Sequence, residues 1–219
     1  FEDYMLKEIF EQPNAIRETI GSRFRLGEKC SFDDIAISKE YLSSLNKIYL
    51  VACGTAMHAG LVAKNTFEKL CRIPCEVEVA SEFRYRDPIL DEKTLCIFIS
   101  QSGETADTIA ALKLAKQKGC KTLSVTNVIG SSITREADYT VYTHAGPEIA
   151  VASTKAYTSQ IVLLTILAMY FAETLESYPT EKIEELKASL LDLPAKIETV
   201  LENIEDIKAF AKKVYTQKD

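Results

Sequence analysis

The chain has 219 residues, and 47% of them are hydrophobic, which is enough for one large domain or two small ones with a buried core. Its formal net charge is −6, and this acidic balance excludes general nucleic-acid binding, which favours a basic surface. The most apolar run, IVLLTILAMYFA at 161–172, is shorter than the roughly 20 residues that span a bilayer. We therefore expect a buried helix there and no membrane partner.

Six cysteines and two histidines are the candidate metal ligands, and their spacing does not predict a site. No two cysteines form a CxxC motif, so zinc binding is not indicated, and we expect neither a metal nor a cofactor. Cys53 and Cys96 lie inside apolar runs, which is typical of small buried thiols in a reducing compartment. The N-terminus has charges where a signal peptide would be apolar, and we expect a cytoplasmic protein.

The first predicted element is a mainly helical entry segment at residues 1–45. Met5, Ile9 and Ile16 lie near helical spacing, and we expect this helix to break at Pro13. Because the chain begins at Phe rather than Met, we also expect it to be part of a longer protein.

Residues 46–176 alternate between apolar strands and amphipathic helices, which predicts a parallel sheet covered on both faces. The five expected strands lie at 47–54, 75–80, 94–100, 121–127 and 139–144. Right-handed crossovers give an α/β fold, a three-layer αβα sandwich, for which we expect the flavodoxin-like strand order 2-1-3-4-5. Ligands of such sheets bind beyond the carboxyl ends of strands one and three, where the loops ACGTAMH and SQSGETAD would meet.

Residues 177–219 have a different pattern. Apolar residues recur in steps of three and four from Ile183 to Ile207, which predicts an amphipathic helix pair broken near Pro194. A coiled coil with a partner is one alternative, but the proline favours packing of these helices on the chain itself.

The segment SQSGETADT, after the third strand, has the composition of an anion site. Ser100, Ser102 and Thr105 can each donate an O–H and Gln101 an N–H, while Gly103 lets the backbone approach a ligand. The first N–H groups of the next helix are unpaired and carry the positive end of its dipole, so a phosphate fits there. Ordinary helix capping is the alternative, although a cap needs fewer hydroxyls.

Other polar residues near the carboxyl ends of the predicted strands are less specific indicators of a site. Thr55, in CGTAMH, is either a sugar contact or a helix cap. His58 is expected to be a packed helix residue, whereas His144 could act as an acid or base but has no visible partner. Glu148 could be a proton-transfer base, but a capping or solvated carboxylate is the more frequent case.

Three segments in this order, ACGT, SQSGETADT and EIAVASTKA, resemble the sugar-isomerase (SIS) domain family. More narrowly, these segments and the entry segment YMLKEIFEQPNAI are similar to the isomerase part of the glutamine–fructose-6-phosphate aminotransferases, or glucosamine-6-phosphate synthases. The resemblance covers nearly the whole chain. It implies the first SIS half of an enzyme that makes glucosamine 6-phosphate from fructose 6-phosphate and glutamine.

By this resemblance, four side chains would hold the phosphate of a sugar-phosphate substrate: Ser100, Gln101, Ser102 and Thr105. Thr55, Val151 and Ser153 would face the sugar hydroxyls, Val151 through its backbone. The family usually has Ser at position 56, so Ala56 lacks that hydroxyl and keeps only its backbone N–H.

The resemblance also implies parts outside this chain, namely a glutaminase domain before it and a second SIS half after it. The catalytic residues are expected in that second half, so we expect this chain alone to bind the sugar phosphate weakly and not to turn it over. A homodimer is also expected. A non-catalytic sugar-phosphate sensor or regulator is the alternative, and a purely structural interaction domain would leave the hydroxyl-rich loop unexplained.

Overall fold

A computed structural model describes residues 1, 3–33 and 35–217. Its central sheet has five parallel strands in the order β2-β1-β3-β4-β5, which confirms the predicted strand order. The strands are β1 (Lys47–Ala52), β2 (Cys75–Val79), β3 (Thr94–Ser100), β4 (Lys121–Thr126) and β5 (Tyr139–Tyr142). Every residue of β3 is buried, as expected for a central strand covered on both faces.

Helices cover both faces of this sheet and complete the predicted αβα sandwich. The nine helices of the described residues are α1 (Tyr4–Ile20), α2 (Lys39–Ser44), α3 (Gly54–Cys71), α4 (Ala80–Tyr85), α5 (Ala106–Gln117), α6 (Ser132–Glu136), α7 (Lys155–Leu175), α8 (Thr180–Glu202) and α9 (Ile204–Val214). One apolar cluster joins α1, α3 and α7 to one sheet face, and a second joins α4, α5 and α6 to the other. The loop from β3 to α5 therefore crosses from the sheet into the second helical layer.

The apolar run at 161–172 belongs to α7, which is longer than that run. By length and composition, α7 is the one helix of the described residues that could cross a membrane, but 61% of its most apolar window is buried inside the protein. The helix packs against α1 and α3. This burial confirms the prediction of a buried helix.

The predicted break at Pro13 is wrong, because α1 runs without interruption from Tyr4 to Ile20. Proline removes one helical N–H and leaves a carbonyl four residues earlier without its partner. The side-chain amide of Gln12 donates to that carbonyl, at Ile9, over 3.1 Å. Segment 21–38 forms no helix or strand at its described residues, so the predicted helical character of 1–45 is limited to α1 and α2.

The predicted break near Pro194 is also wrong, because α8 contains Pro194 and ends at Glu202. The chain turns at Asn203, between α8 and α9. The predicted apolar stripe packs on the core of this chain over the length of α8, through Ile183, Leu186, Leu190, Leu193 and Ile197. In α9, no described residue is buried.

A buried lysine ties α8 to the domain. The ammonium of Lys187 lies 2.7 Å from Glu173 on α7, 2.8 Å from Glu184 and 2.6 Å from the carbonyl of Glu28. A buried ammonium needs such partners, because desolvation without them is costly. The boundaries at 45 and 176 between the three predicted segments stay a prediction.

Candidate functional site

A cleft of about 260 Å³ lies beyond the carboxyl ends of β1 and β3, where the strand order reverses. It is bordered by the starts of α3, α5 and α7. The structure brings all eight predicted binding residues together in its lining: Thr55, Ala56, Ser100, Gln101, Ser102, Thr105, Val151 and Ser153. Five further residues complete the lining: Cys53, Ile99, Glu148, Ala150 and Gln160.

The loop between β3 and α5 is held in shape by its own hydroxyls. Ser100 Oγ accepts a hydrogen bond from the Gly103 N–H at 3.1 Å and lies 3.2 Å from Thr105 Oγ1. Ser102 Oγ accepts from the Glu104 N–H at 3.2 Å. Both serine oxygens thus act as acceptors inside the loop, which leaves the Ser102 O–H able to donate to an anion. Of Ser100 and Thr105, one hydroxyl donates to the other, and the second keeps its O–H for an anion.

Gly103 is required by the packing of this loop. Its φ is +67°, in the left-handed region, and a Cβ at this position would lie 2.1 Å from Ser131 Oγ and 2.7 Å from Ser131 Cβ. The Gly103 carbonyl accepts from the Ile133 N–H at 3.0 Å. The loop therefore lies directly against the start of α6, with no room for a side chain between them.

Of the three helix starts at the cleft, the structure satisfies one with a carboxylate. Glu148 Oε1 accepts from the N–H groups of Thr154 and Ala156 at 2.9 and 3.1 Å, at the start of α7. Neither α3 nor α5 has a side-chain cap among the described residues. An anion entering the cleft would therefore find the positive dipole end of α5 unneutralised by a cap, next to the hydroxyls of the loop.

Two carboxylates stand near the start of α5, and both are engaged away from the loop. Glu104 is exposed and accepts from the Ser132 N–H at 2.7 Å, and this backbone hydrogen bond lowers its pKa. Asp107 lies 3.1 Å from Arg84 on α4. Neither residue lines the cleft, and each carboxylate is paired with a group on α6 or α4.

The role of Glu148 follows from its contacts. Besides accepting from two backbone groups, its Oε2 accepts from Ser153 Oγ at 3.2 Å. A carboxylate with three donors acts as a helix cap, which confirms the more frequent of the two roles considered for this residue. Ser153 is thereby held at the cleft wall beside the start of α7.

Helix α1 holds the loop that carries Val151 and Ser153. Glu8 is buried and accepts from the Ile149 and Ala150 N–H groups at 2.6 and 3.1 Å. Glu11 lies 2.7 Å from the ammonium of buried Lys155, and that hydrogen bond lowers the pKa of Glu11. These contacts were not predicted, since the sequence carries no local signal for them.

Both histidines lie outside the cleft. His58, expected as a packed residue, is exposed on α3, so that expectation is wrong. His144 follows β5 and lines a different cavity, together with Arg23 and Tyr142.

Cys53 was expected to be buried but is half-buried in the cleft lining, whereas Cys96 is buried as predicted. Among the described residues, no group of three or more His, Cys, Asp or Glu is placed to hold a metal ion.

Comparison with known proteins assigns the fold to a family. The SIS domain family matches residues 41–170 of the chain. The chain belongs to the SIS domain family. A solved structure, the C-terminal domain of glucosamine-fructose-6-phosphate aminotransferase from Francisella tularensis, matches this SIS chain with a TM-score of 0.90 and 39% identity. That match covers 96% of this chain and 59% of the other.

Over its whole length, this SIS chain is 58% identical to a glutamine–fructose-6-phosphate aminotransferase (isomerizing) of Clostridium tetani and 55% identical to that of Clostridium perfringens. These identities confirm the resemblance found in the sequence. The chain spans 36% of the length of each of these relatives. It corresponds to an isomerase segment of such aminotransferases, and the SIS fold is confirmed by the family match and by the solved structure.

The close packing at Gly103 predicts a stability defect. Gly103→Ala combines a strained backbone with the contact on Ser131, and we expect it to lower the free energy of unfolding by about 3 kcal/mol or more. Gly119→Ala, which also has positive φ but open space around it, should cost only about 1 kcal/mol. Urea unfolding measures the free energy of unfolding of both variants. Adding Ser131→Gly to Gly103→Ala should recover part of the loss, and equal costs for the two single variants would contradict the steric argument.

The contact between Glu8 and the cleft loop gives a second prediction. Glu8→Met removes the acceptor for the Ile149 and Ala150 N–H groups, and we expect hydrogen exchange at these two amides to become about tenfold faster or more. Glu8→Gln keeps an accepting oxygen and should retain most of the protection. Amide exchange followed by NMR measures this. Unchanged exchange in Glu8→Met would show that α1 does not order the loop.

Proposed function

We propose that this chain binds fructose 6-phosphate or glucose 6-phosphate in the cleft, as half of the isomerase part of a glutamine–fructose-6-phosphate aminotransferase. Such an enzyme makes glucosamine 6-phosphate from fructose 6-phosphate and glutamine. The observation that carries the proposal is the uncapped start of α5, which lies in one cleft with the hydroxyls of Ser100, Ser102 and Thr105. The identity to aminotransferases over the whole chain supports the choice of substrate.

In this proposal, the ester phosphate lies at the start of α5. The side chains that donate to it are Ser100, Gln101, Ser102 and Thr105. Uncharged donors and a helix dipole suffice for a dianion, because each hydrogen bond to a charged acceptor contributes about 1.5–3 kcal/mol. Thr55 and Ser153 face the sugar hydroxyls, Val151 contributes its backbone, and Ala56 contributes only its N–H.

The isomerisation itself requires residues outside this chain in our proposal. The described lining of the cleft contains no lysine and no histidine, and its one carboxylate, Glu148, is engaged by three donors. A group so engaged is poorly placed to move a substrate proton. The intact protein would add a second SIS half and a glutaminase domain, and would act as a cytoplasmic homodimer in amino-sugar synthesis. The sensor alternative is not favoured, because relatives identical at 58% and 55% carry the name of the aminotransferase.

A binding experiment tests the phosphate site. We expect fructose 6-phosphate and glucose 6-phosphate to shift the amide NMR signals of residues 100–105, and unphosphorylated fructose to leave them unchanged. The double variant Ser102→Ala with Thr105→Ala removes two donors to the phosphate and should weaken binding about hundredfold or more.

The matched control for that variant is Ser189→Ala with Thr199→Ala, which removes two hydroxyls bonded only within α8 and should leave the affinity unchanged. Circular dichroism checks that both variants keep the fold. Shifts confined to another part of the chain, or equal shifts with fructose, would contradict the proposed site.

The absence of a free acid or base in the described lining predicts the result of a turnover assay. We expect the 219-residue chain to bind the sugar phosphate and to form no glucosamine 6-phosphate when fructose 6-phosphate and ammonia or glutamine are supplied. A coupled assay for glucosamine 6-phosphate measures this turnover. The variant Glu148→Gln shows whether any trace of activity depends on the Glu148 carboxylate. Turnover by the purified chain that disappears in Glu148→Gln would overturn this part of the proposal.

A further inference from the structure

Gln160 is a buried amide that lines the cleft and that no sequence pattern singles out as a site residue. The residue lies on α7 and is only 2% exposed. Its side-chain amide forms no hydrogen bond within the described residues, and its polar atoms are not among the fully enclosed unpaired atoms there, so they reach the cleft. Its remaining contact with open space is with the cleft, since it belongs to the lining.

An amide in this position is costly unless something pairs with it. Buried polar side chains in proteins are nearly always hydrogen-bonded, and an exception calls for a ligand, a water molecule or a functional role. An apolar side chain would fill the same place on α7 without that cost, and the neighbouring buried positions Val162, Leu163 and Leu164 are apolar. The amide therefore points to a polar group that enters the cleft.

The layers of the fold separate Gln160 from the phosphate loop. Helix α7 packs in the apolar cluster on one face of the sheet, and α5 packs in the cluster on the other face. The cleft lies between these layers, so Gln160 belongs to one wall and the start of α5 to the opposite wall. A ligand whose phosphate binds at α5 would extend the rest of its structure toward Gln160.

The other polar side chains on the α7 side of the cleft are already engaged. Glu148 accepts from three donors, and one of these is the hydroxyl of Ser153. Gln160 can both donate and accept, and none of this capacity is used within the described chain. A sugar hydroxyl likewise donates and accepts, so the two groups are matched.

We propose that Gln160 hydrogen-bonds a hydroxyl or the carbonyl of the sugar part of the hexose phosphate, and that it distinguishes polyhydroxylated phosphate esters from phosphate alone. This inference rests on the proposed function, because it requires a sugar phosphate in the cleft. Gln160 is a specificity residue in this assignment, and the phosphate-binding loop supplies the affinity for the anion.

The test compares two ligands in one variant. Gln160→Met keeps an unbranched side chain of similar length and removes the amide. Calorimetric titration should show about fivefold to tenfold weaker binding of fructose 6-phosphate, the effect of one hydrogen bond between neutral groups. Binding of inorganic phosphate should be unchanged. Gln117→Met, at the exposed end of α5, is the matched control and should bind both ligands as the unchanged chain does.

Thermal unfolding separates a binding role from a structural one. Because the amide lacks a partner in the ligand-free protein, Gln160→Met should melt at the same temperature as the unchanged chain or higher. A lower melting temperature would show that Gln160 acts in folding and would overturn the inference. Equal weakening of both ligands, or unchanged affinity for fructose 6-phosphate, would also overturn it and leave the proposed function standing. Failure of the unchanged chain to bind fructose 6-phosphate would instead refute the proposed function.

Discussion

The structure depends on how the backbone N–H groups at the starts of three helices are satisfied. Helices α3, α5 and α7 all begin at the rim of one cleft, and each brings unpaired N–H groups and a positive dipole end to it. Glu148 supplies the missing acceptors at α7, while α3 and α5 have no side-chain cap among the described residues. In the proposed function, an acidic chain holds an anion because the attraction comes from local dipoles and donors rather than from net charge.

The donors at these helix starts stay in place only if the neighbouring loops keep their shape. Contacts on two sides of the cleft hold these loops. The Gly103 backbone lies against Ser131 at the start of α6, which supports the hydroxyl-rich loop after β3. Helix α1 holds the opposite loop through Glu8 and through the pair of Glu11 with Lys155. The site is therefore supported by elements that do not line it, and the entry helix is part of this support.

The sequence predicted the sheet well because buried parallel strands are marked by continuous apolar runs, which are local features. All five strands begin where they were expected, and their order is one of those that right-handed crossovers allow. The two prolines were misjudged for a local reason as well. Pro13 lies within α1, where the Gln12 side chain replaces the lost hydrogen bond, and Pro194 lies within α8, so neither proline ends its helix.

The sequence by itself determined the fold class, the hydroxyl-rich loop after β3 and its meeting with the loop after β1, because strand order fixes which loops share an edge of the sheet. The resemblance to the SIS family added Val151 and Ser153 to the predicted site. Only the tertiary structure decided that Glu148 caps α7, that Glu8 holds residues 149 and 150 and that Gln160 faces the cleft. Glu8 and Ile149 are 141 positions apart, and Gln160 lies in an apolar stretch of helix. Contacts of this kind depend on how whole layers pack, and no local pattern of residues encodes them.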